Sequence, residues 1–220
     1  PVARLPLSKG EFTAFFEKYE EFALDTALEQ PDLVNFSNPI FASKKHIDDM
    51  GTFLNRMKNE FNLLDVPYRL YGNLDGQFPV TTKVLGGFTK ENVAKENDKG
   101  VMELLINTHG QWNNIDQCIF VNGKEQRISF LNMNDINSVL DGNPYYLDCW
   151  TCLTGYGMSN NLTTTALTGQ SVGVFSATII ISNNGVNCRA SVEEMKQSNF
   201  YCFYYSYIFM PDNYHIRPII

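Results

Sequence analysis

The sequence predicts an α/β domain in which a mostly parallel sheet is covered by helices on both faces. Continuous apolar runs occupy residues 101–108, the segment that begins at Pro144, and residues 172–182. Such runs are typical of strands buried on both faces. Helical patterns alternate with them along the chain, as they do in doubly wound folds. No linker rich in Pro, Gly or Ser interrupts the sequence, so residues 1–220 are expected to form a single domain.

The individual elements follow from apolar periodicity and from capping residues. Aromatic side chains at helical spacing, from Phe12 to Phe22, predict a helix over 9–27 whose aromatic stripe faces the core. Thr89 and Gly100 are suited to begin and end a helix over 90–99. The other predicted helices are residues 45–61, a short helix that starts at Asn132 or Asn134, and a segment within 159–167. The predicted strands are residues 66–71, 101–108, the run from Pro144, 172–182 and 200–210, of which the last lies outside the residues that the structure describes.

Charge and apolar content argue against two classes of partner. The net charge of −7 and the pI near 5.0 argue against nucleic acid, because binding to phosphates needs a basic surface. No apolar run approaches the roughly 20 residues of a membrane-spanning helix. The chain begins with Pro1 instead of methionine, so we expect a processed piece of a longer chain that carries other domains.

Two of the apolar runs end at side chains that can perform nucleophilic chemistry. The first run delivers His109 followed by Gly110, and the second delivers Cys152. If the runs are neighbouring parallel strands, these residues meet at the edge of the sheet where such folds bind ligands. The imidazole of His109 can then take the thiol proton of Cys152. Gly110 lets a substrate carbonyl approach its backbone N–H, which forms an oxyanion hole with the N–H of Cys152.

The five cysteines leave other interpretations of this region open. Their number is odd and their spacing scattered, so they do not form a disulfide framework. Cys149 and Cys152 form a CxxC pair, but zinc would need a second such pair. A thiol oxidoreductase that uses both cysteines is one alternative function. Another is a catalytically inactive scaffold or interaction module. Under the dyad hypothesis, Cys149 is expected to be a small, inert, buried group within its strand.

The order of several motifs resembles the gingipain-like family of cysteine peptidases, in the caspase–gingipain–legumain clan. A His-Gly pair after one hydrophobic strand and a cysteine after the next is the pattern of this clan. The segments that carry the closer resemblance are Arg4-Leu5-Pro6-Leu7 with the helix ending near Tyr19-Glu20, Phe88-Thr89-Lys90-Glu91-Asn92-Val93, Leu105-Ile106-Asn107-Thr108-His109-Gly110, Asp135-Ile136 to Leu140, Thr151-Cys152-Leu153-Thr154-Gly155 and Gly173-Val174-Phe175-Ser176-Ala177-Thr178. Together they cover roughly residues 1 to 185.

The resemblance implies a caspase-like three-layer sandwich that hydrolyses peptide bonds through a thioester. His109 and Cys152 would form the dyad, and Gly110 and Cys152 would donate to the oxyanion. The substrate would be a protein or peptide, and the chemistry would require no cofactor, although a structural calcium ion is expected in some members. Family members are typically secreted or displayed on the cell surface. The first subdomain of the family would precede Pro1.

The resemblance also bears on substrate recognition. Gingipains proper cleave after arginine or lysine, which requires an acidic group in the specificity pocket. Asp148 and Asp65 are the candidates for that acid, and basic specificity is not carried over. Ser176 and Thr178, on the strand that follows the nucleophile, are candidates for contact with the substrate.

Overall fold

A five-stranded parallel sheet forms the centre of the described part of the chain. The structure, a computed structural model, describes residues 9–22, 33–37, 51, 54–55, 58–59, 62, 67–73, 81–122, 124–151, 153–155 and 160–176. The structure has eight strands in the described residues, and they belong to two sheets. In chain order they are β1 (Leu33–Ser37), β2 (Tyr68–Tyr71), β3 (Glu103–Asn107), β4 (His109–Gln111), β5 (Asn114–Val121), β6 (Lys124–Asn132), β7 (Tyr145–Trp150) and β8 (Ser171–Ser176). Its helices are α1 (Lys9–Glu21), α2 (Lys90–Asp98), α3 (Ile136–Val139) and α4 (Leu162–Thr168).

The order of the strands is one that is typical of folds which bind ligands at one edge of the sheet. The spatial order is β2-β1-β3-β7-β8, and every neighbouring pair runs parallel. Numbered within this sheet alone, the order is the 2-1-3-4-5 order of doubly wound folds, which bind ligands beyond the carboxyl ends of their strands. The prediction of an α/β fold with a mostly parallel sheet and flanking helices is confirmed.

A second, antiparallel sheet follows directly after β3 and was not among the predicted elements. It has the order β4-β5-β6, with a bulge between Ile115 and Asp116. Asn122 has a φ of 51° between β5 and β6, a conformation that an Asn-Gly hairpin turn requires. One face packs on the core, where the ring of Phe130 lies 4.2 Å from that of Phe88. The chain therefore leaves the carboxyl end of β3 and immediately builds a hairpin over that edge.

Most predicted helices are present, with one boundary corrected. Thr89 caps α2 by accepting from the Asn92 backbone N–H, and Gly100 follows α2 with a φ of 77°, as predicted. The described residues within 45–61 are helical. The prediction that Asn132 or Asn134 starts the short helix is wrong. Asp135 is the residue before α3, because its carboxylate accepts from the backbone N–H of Asn132 and fixes the preceding turn.

The prediction that the whole aromatic stripe of α1 faces the core is also wrong. Phe15 and Phe22 are buried, but Phe12, Phe16 and Tyr19 are each exposed by 41% or more. The three exposed rings lie at i, i+4 and i+7, on one side of the helix, and the sheet covers only the neighbouring side. Periodicity located the helix correctly but could not say how wide a stripe the core would cover.

Alternate residues of β7 face two separate apolar clusters. Tyr145, Leu147 and Cys149 are buried in a large cluster that includes side chains of α2, α3 and α4. Tyr146 packs instead against a smaller cluster that contains Phe22, directly after α1. Since neighbouring residues of a strand point to opposite faces, the sheet is covered on both. None of the helices in the described part of the chain combines the length and the apolar content that crossing a membrane requires.

A buried carboxylate fastens α2 to β2. Glu96 of α2 is fully buried and accepts from Arg69 Nε at 3.0 Å, Arg69 Nη2 at 2.8 Å and the Tyr71 hydroxyl at 2.6 Å. Lys99 Nζ donates to the same carboxylate at 2.5 Å. Burial by itself would raise the pKa of Glu96, but the hydrogen bonds from Lys99 and Tyr71 and the charge of Arg69 outweigh it and hold the pKa below its usual value.

Candidate active site

The strands that precede His109 and Cys152 are adjacent and end in register. β3 and β7 pair in parallel from Glu103↔Tyr146 to Asn107↔Trp150. His109 is the second residue after Asn107 along the chain, and Cys152 is the second residue after Trp150. Neighbouring strands lie about 4.8 Å apart. The two chain segments that carry the predicted dyad therefore leave the sheet side by side at its carboxyl edge.

His109 is held where β3 turns into the antiparallel sheet. The preceding residue, Thr108, is buried and donates its hydroxyl to the carbonyl of Asp116 at 2.7 Å. His109 itself is half-buried and pairs with Asp116 across β4 and β5. The backbone at His109 is thus fixed by the pairing of β4 with β5 and by the hydrogen bond of the neighbouring Thr108.

Cys152 lies outside the described residues, but the turn around it is described. Thr151 and Thr154 are fully buried, and their hydroxyl oxygens are 2.9 Å apart in a hydrogen bond that closes the turn. Leu153, directly after Cys152, has a φ of 60°. That left-handed conformation is unfavourable for a bulky side chain and costs of order 1–3 kcal/mol, so the surrounding contacts must enforce it.

The first residues of α4 hold the histidine hairpin and the cysteine turn together. Leu162 donates its backbone N–H to the carbonyl of Trp112, in the turn between β4 and β5, at 2.9 Å. Thr163 donates its hydroxyl to the carbonyl of Thr154 at 3.0 Å. The start of α4 is itself fixed by a reciprocal capping box between Asn161 and Thr164. Two consecutive residues of one capped helix therefore tie both segments to a common support.

A polar cluster surrounds His109 on one face of the antiparallel sheet. Arg127, on β6, places Nη2 at 3.2 Å from Nε2 of His109. Asp116 is buried, and its Oδ2 has no hydrogen-bond partner within the described part of the chain, while its other oxygen accepts from Asn114. Burial raises the pKa of Asp116, although a hydrogen bond from Gln111 and the charges of Arg127 and His109 act in the opposite direction.

Gly110 lies at the second position of β4, which is an edge strand of its sheet. It pairs with Ile115 and is buried. Along an edge strand, alternate backbone N–H groups point away from the only neighbouring strand. A glycine at this position adds no side chain that would obstruct a ligand approaching its backbone.

Of the remaining predicted site residues, Asp148 lies within a strand, Ser176 lies at the end of one, and two lie outside the described chain. Asp148 is fully buried in the middle of β7, where it pairs with Leu105 of β3, so it lines the sheet interior. Ser176 is the last residue of β8 and pairs with Cys149 across the sheet. Thr178 and Asp65 lie outside the described residues.

Cys149 is confirmed as a buried group. Its side chain is 1% exposed, and it is a free thiol. Burial, with the nearby charge of Asp148, raises the pKa of the Cys149 thiol well above its usual value. Cys149 therefore stays protonated and unreactive at neutral pH.

Neither a metal group nor a known relative identifies this site. Within the ranges that the structure describes, no three His, Cys, Asp or Glu side chains are grouped so that they could hold a metal ion. Comparison of the chain with family models, with curated proteins and with solved structures finds no match.

Three features of the site were missed by sequence reasoning. These are the Arg127 contact, the buried Asp116, and the hydroxyl pair of Thr151 and Thr154. The first two belong to the antiparallel sheet of β4, β5 and β6, for which the sequence did carry a signal. Asn122 followed by Gly123 is a strong sequence signal for a two-residue hairpin turn. The hydroxyl pair had no signal beyond threonines three residues apart.

Proposed function

We propose that the chain is a cysteine endopeptidase in which His109 and Cys152 form the catalytic dyad. His109 takes the proton of the Cys152 thiol, the thiolate sulfur attacks the scissile carbonyl, and a tetrahedral intermediate forms. The protonated imidazole then gives its proton to the leaving amine, which leaves a thioester that water hydrolyses. Backbone N–H groups of Gly110 and Cys152 stabilise the oxyanion.

The observation that carries the proposal is the parallel register of β3 and β7. Because Asn107 pairs with Trp150, the residues two positions further on are His109 in one segment and Cys152 in the other. The first segment is tied to the start of α4 three residues after His109, and the second two residues after Cys152. The left-handed Leu153 adds a second support, since strained backbone beside a reactive residue is common at functional sites.

The state of Cys149 favours the dyad over a CxxC oxidoreductase. An oxidoreductase needs one cysteine as an accessible thiolate and the other within reach to form a disulfide. Cys149 is buried, and burial raises the pKa of its thiol. A thiol in that state neither attacks nor resolves a mixed disulfide. Of the two cysteines in the pair, Cys152 is therefore the candidate nucleophile.

The remaining parts of the proposal rest on the resemblance to the gingipain-like family. They are a caspase-like three-layer arrangement of the sheet and helices, a protein or peptide substrate, a structural calcium ion, and a parent protein that is secreted or on the cell surface. The parallel order β2-β1-β3-β7-β8 is compatible with the first of these.

Cleavage of a peptide library, with mass spectrometry of the new termini, tests the proposal. The chain should cleave peptides with a side-chain preference next to the scissile bond. Cys152→Ala and His109→Ala should abolish cleavage, because each removes one half of the dyad. Cys149→Ala is the matched control and should retain cleavage, since it alters a buried thiol of the same CxxC pair.

Two results would contradict this assignment. Cleavage that survives Cys152→Ala but disappears with Cys149→Ala would move the chemistry to the wrong cysteine. A folded chain that cleaves no peptide, with or without calcium, would favour the inactive scaffold.

A further inference from the structure

A surface cavity borders the last residues of α4, away from the candidate active site at the start of that helix. The volume of the cavity is about 370 Å³, which falls within the range of small-molecule sites. On one side, α1 contributes Ala14, Phe15 and Lys18 to its wall. On the other side, the wall includes Leu167 of α4 and Gly169 directly after it. None of these residues belongs to the proposed dyad or its supports.

Lys18 places its amine among the residues that line this cavity. Its Nζ donates to the backbone carbonyl of Leu167 at 2.9 Å and to that of Gly169 at 2.5 Å. The same nitrogen lies 5.1 Å from the centre of the Phe15 ring. All three neighbours of Nζ are cavity residues. The amine is therefore held at the cavity and does not extend into solvent.

The amine of Lys18 has no acidic partner in the described part of the chain. Glu11 and Asp141 also line the cavity, but neither carboxylate forms an ion pair with Nζ there. Both hydrogen bonds of the amine go to neutral carbonyls. Burial without a counter-charge disfavours an ammonium, and it lowers the pKa of Lys18 to about 8. Lys18 therefore loses its proton at a lower pH than an ordinary exposed lysine.

The two carbonyls also orient the neutral amine. A neutral amine has two N–H bonds and one lone pair, and the carbonyls of Leu167 and Gly169 can accept one N–H bond each. The lone pair is then left to a ligand, because no group in the described residues donates a hydrogen bond to Nζ. A desolvated lysine with a free lone pair is the form that attacks carbonyl compounds.

We propose that Lys18 forms an imine with a small uncharged aldehyde that enters this cavity. The lone pair of Nζ attacks the aldehyde carbon, and the aldehyde oxygen takes a proton to give a carbinolamine. Loss of one water molecule then leaves a C=N bond, so the step needs neither an oxidant nor a reductant. The protonated imine keeps one N–H for a carbonyl of α4, and its positive charge is favoured at the C-terminal end of a helix. An aldehyde that carries a carboxylate is disfavoured by the same carbonyls and by Glu11 and Asp141.

Reduction of the imine by cyanoborohydride, with mass spectrometry of the modified peptides, tests this inference. Butanal is the uncharged probe, and succinic semialdehyde carries a carboxylate in place of its terminal methyl group. The reference amine is Lys95, which is exposed on α2. At pH 6.5, we expect butanal to modify Lys18 on the order of tenfold faster than Lys95, because far more of Lys18 is neutral, although a less basic amine is a weaker nucleophile. With succinic semialdehyde this ratio should be about threefold lower, the value of a weak interaction between exposed charges.

Two variants of α1 separate binding in the cavity from simple access to the amine. Ala14→Phe places a ring in the cavity wall and leaves Lys18 intact. It should slow the reaction of Lys18 with butanal by about fourfold or more, the value of one buried methylene group. Thr13→Phe is the matched control, because it adds the same ring at the preceding, exposed position, and it should leave the rate at Lys18 unchanged. Equal rates at Lys18 in Ala14→Phe and in the unsubstituted chain would overturn the cavity as the binding site.

The pH profile separates an activated amine from one that is merely accessible. Raising the pH from 6.5 to 9 should lower the ratio of the Lys18 rate to the Lys95 rate about fivefold to tenfold. The ratio falls because Lys18 is already mostly neutral at pH 9, whereas the neutral fraction of an ordinary lysine is still rising there. A ratio near one at pH 6.5, or a ratio that does not change with pH, would overturn the reactive amine. The outcome is independent of the proposed dyad.

Discussion

Thr154→Val should weaken the turn that carries Cys152 by an amount that the structure bounds. The substitution removes the hydroxyl that lies 2.9 Å from the Thr151 hydroxyl and keeps the branched shape. Both residues are fully buried, so Thr151 is left with an unsatisfied hydroxyl, which costs about 1–3 kcal/mol. Replacing both threonines with valine removes the unsatisfied group as well. The loss of unfolding free energy in the double variant should therefore be smaller than the sum of the losses in the two single variants, by about 1 kcal/mol or more.

Reactivity should not recover with stability. The hydroxyl pair joins the residue before Cys152 to the residue two positions after it, and no other side-chain bond between Thr151 and Thr154 replaces it within the described residues. Both the single and the double variant should thus leave the turn less well fixed. A displacement of about 1 Å at a reacting group costs up to roughly a hundredfold in rate. We expect a peptidyl ketone to label Cys152 about tenfold to a hundredfold more slowly in both variants.

Urea unfolding gives the stability of each variant, and mass spectrometry of the adduct gives the labelling rate. Thr168→Val is the matched control, because Thr168 is exposed at the far end of α4 and its substitution should change stability by less than about 0.5 kcal/mol. Strictly additive losses of stability in the double variant would show that the two hydroxyls do not interact. A double variant that labels at the unsubstituted rate would show that the pair does not position Cys152.

Two further predictions concern the scaffold. Glu96→Gln should lower stability by about 2 kcal/mol at neutral pH, because a neutral amide replaces a buried acceptor of several hydrogen bonds, and Asp98→Asn is the exposed control on the same helix. Burial opposes the shift, but hydrogen bonds from Lys99 and Tyr71 lower the pKa of Glu96. The stabilisation by its carboxylate is therefore present above about pH 4.5 and is lost as the pH falls further. Urea unfolding at pH 7 and pH 4 should show this loss of stability in the unsubstituted chain but not in Glu96→Gln. Burial lowers the pKa of Lys18 to about 8, so between about pH 8 and 10.5 the unfolded chain binds more protons than the folded chain. Over that range the stability of the unsubstituted chain should therefore rise with pH relative to that of Lys18→Met. A stability difference between the two chains that does not change with pH would contradict this.

The strands that define the candidate site could be predicted because a single feature, burial on both faces, explains their sequence pattern. β3 and β7 are buried on both faces, and such strands are continuous apolar runs that end where the chain leaves the sheet. His109 and Cys152 were proposed as site residues from those ends alone. The core position of Cys149 followed from the alternation of side chains along β7.

The rest of the site depends on contacts that the local sequence does not encode. The hairpin of β5 and β6 exposes much of its surface, so its polar and apolar residues show no continuous run, and only the Asn122 turn marked it. Arg127 reaches His109 because of the register of two hairpins, including the bulge before Asp116. A one-residue change of that register would move Arg127 to the other face. The pattern of apolar residues in the sequence does not encode this register between strands.

Covalent labelling by a peptidyl acyloxymethyl ketone tests the central claim most directly, because the reagent needs an activated thiolate in a peptide-binding site. Mass spectrometry of the labelled chain should locate the adduct on Cys152. Labelling should be absent in Cys152→Ala, strongly reduced in His109→Ala and unchanged in Cys149→Ala. Stoichiometric labelling of Cys149, or labelling of Cys152 that is indifferent to His109→Ala, would contradict the dyad.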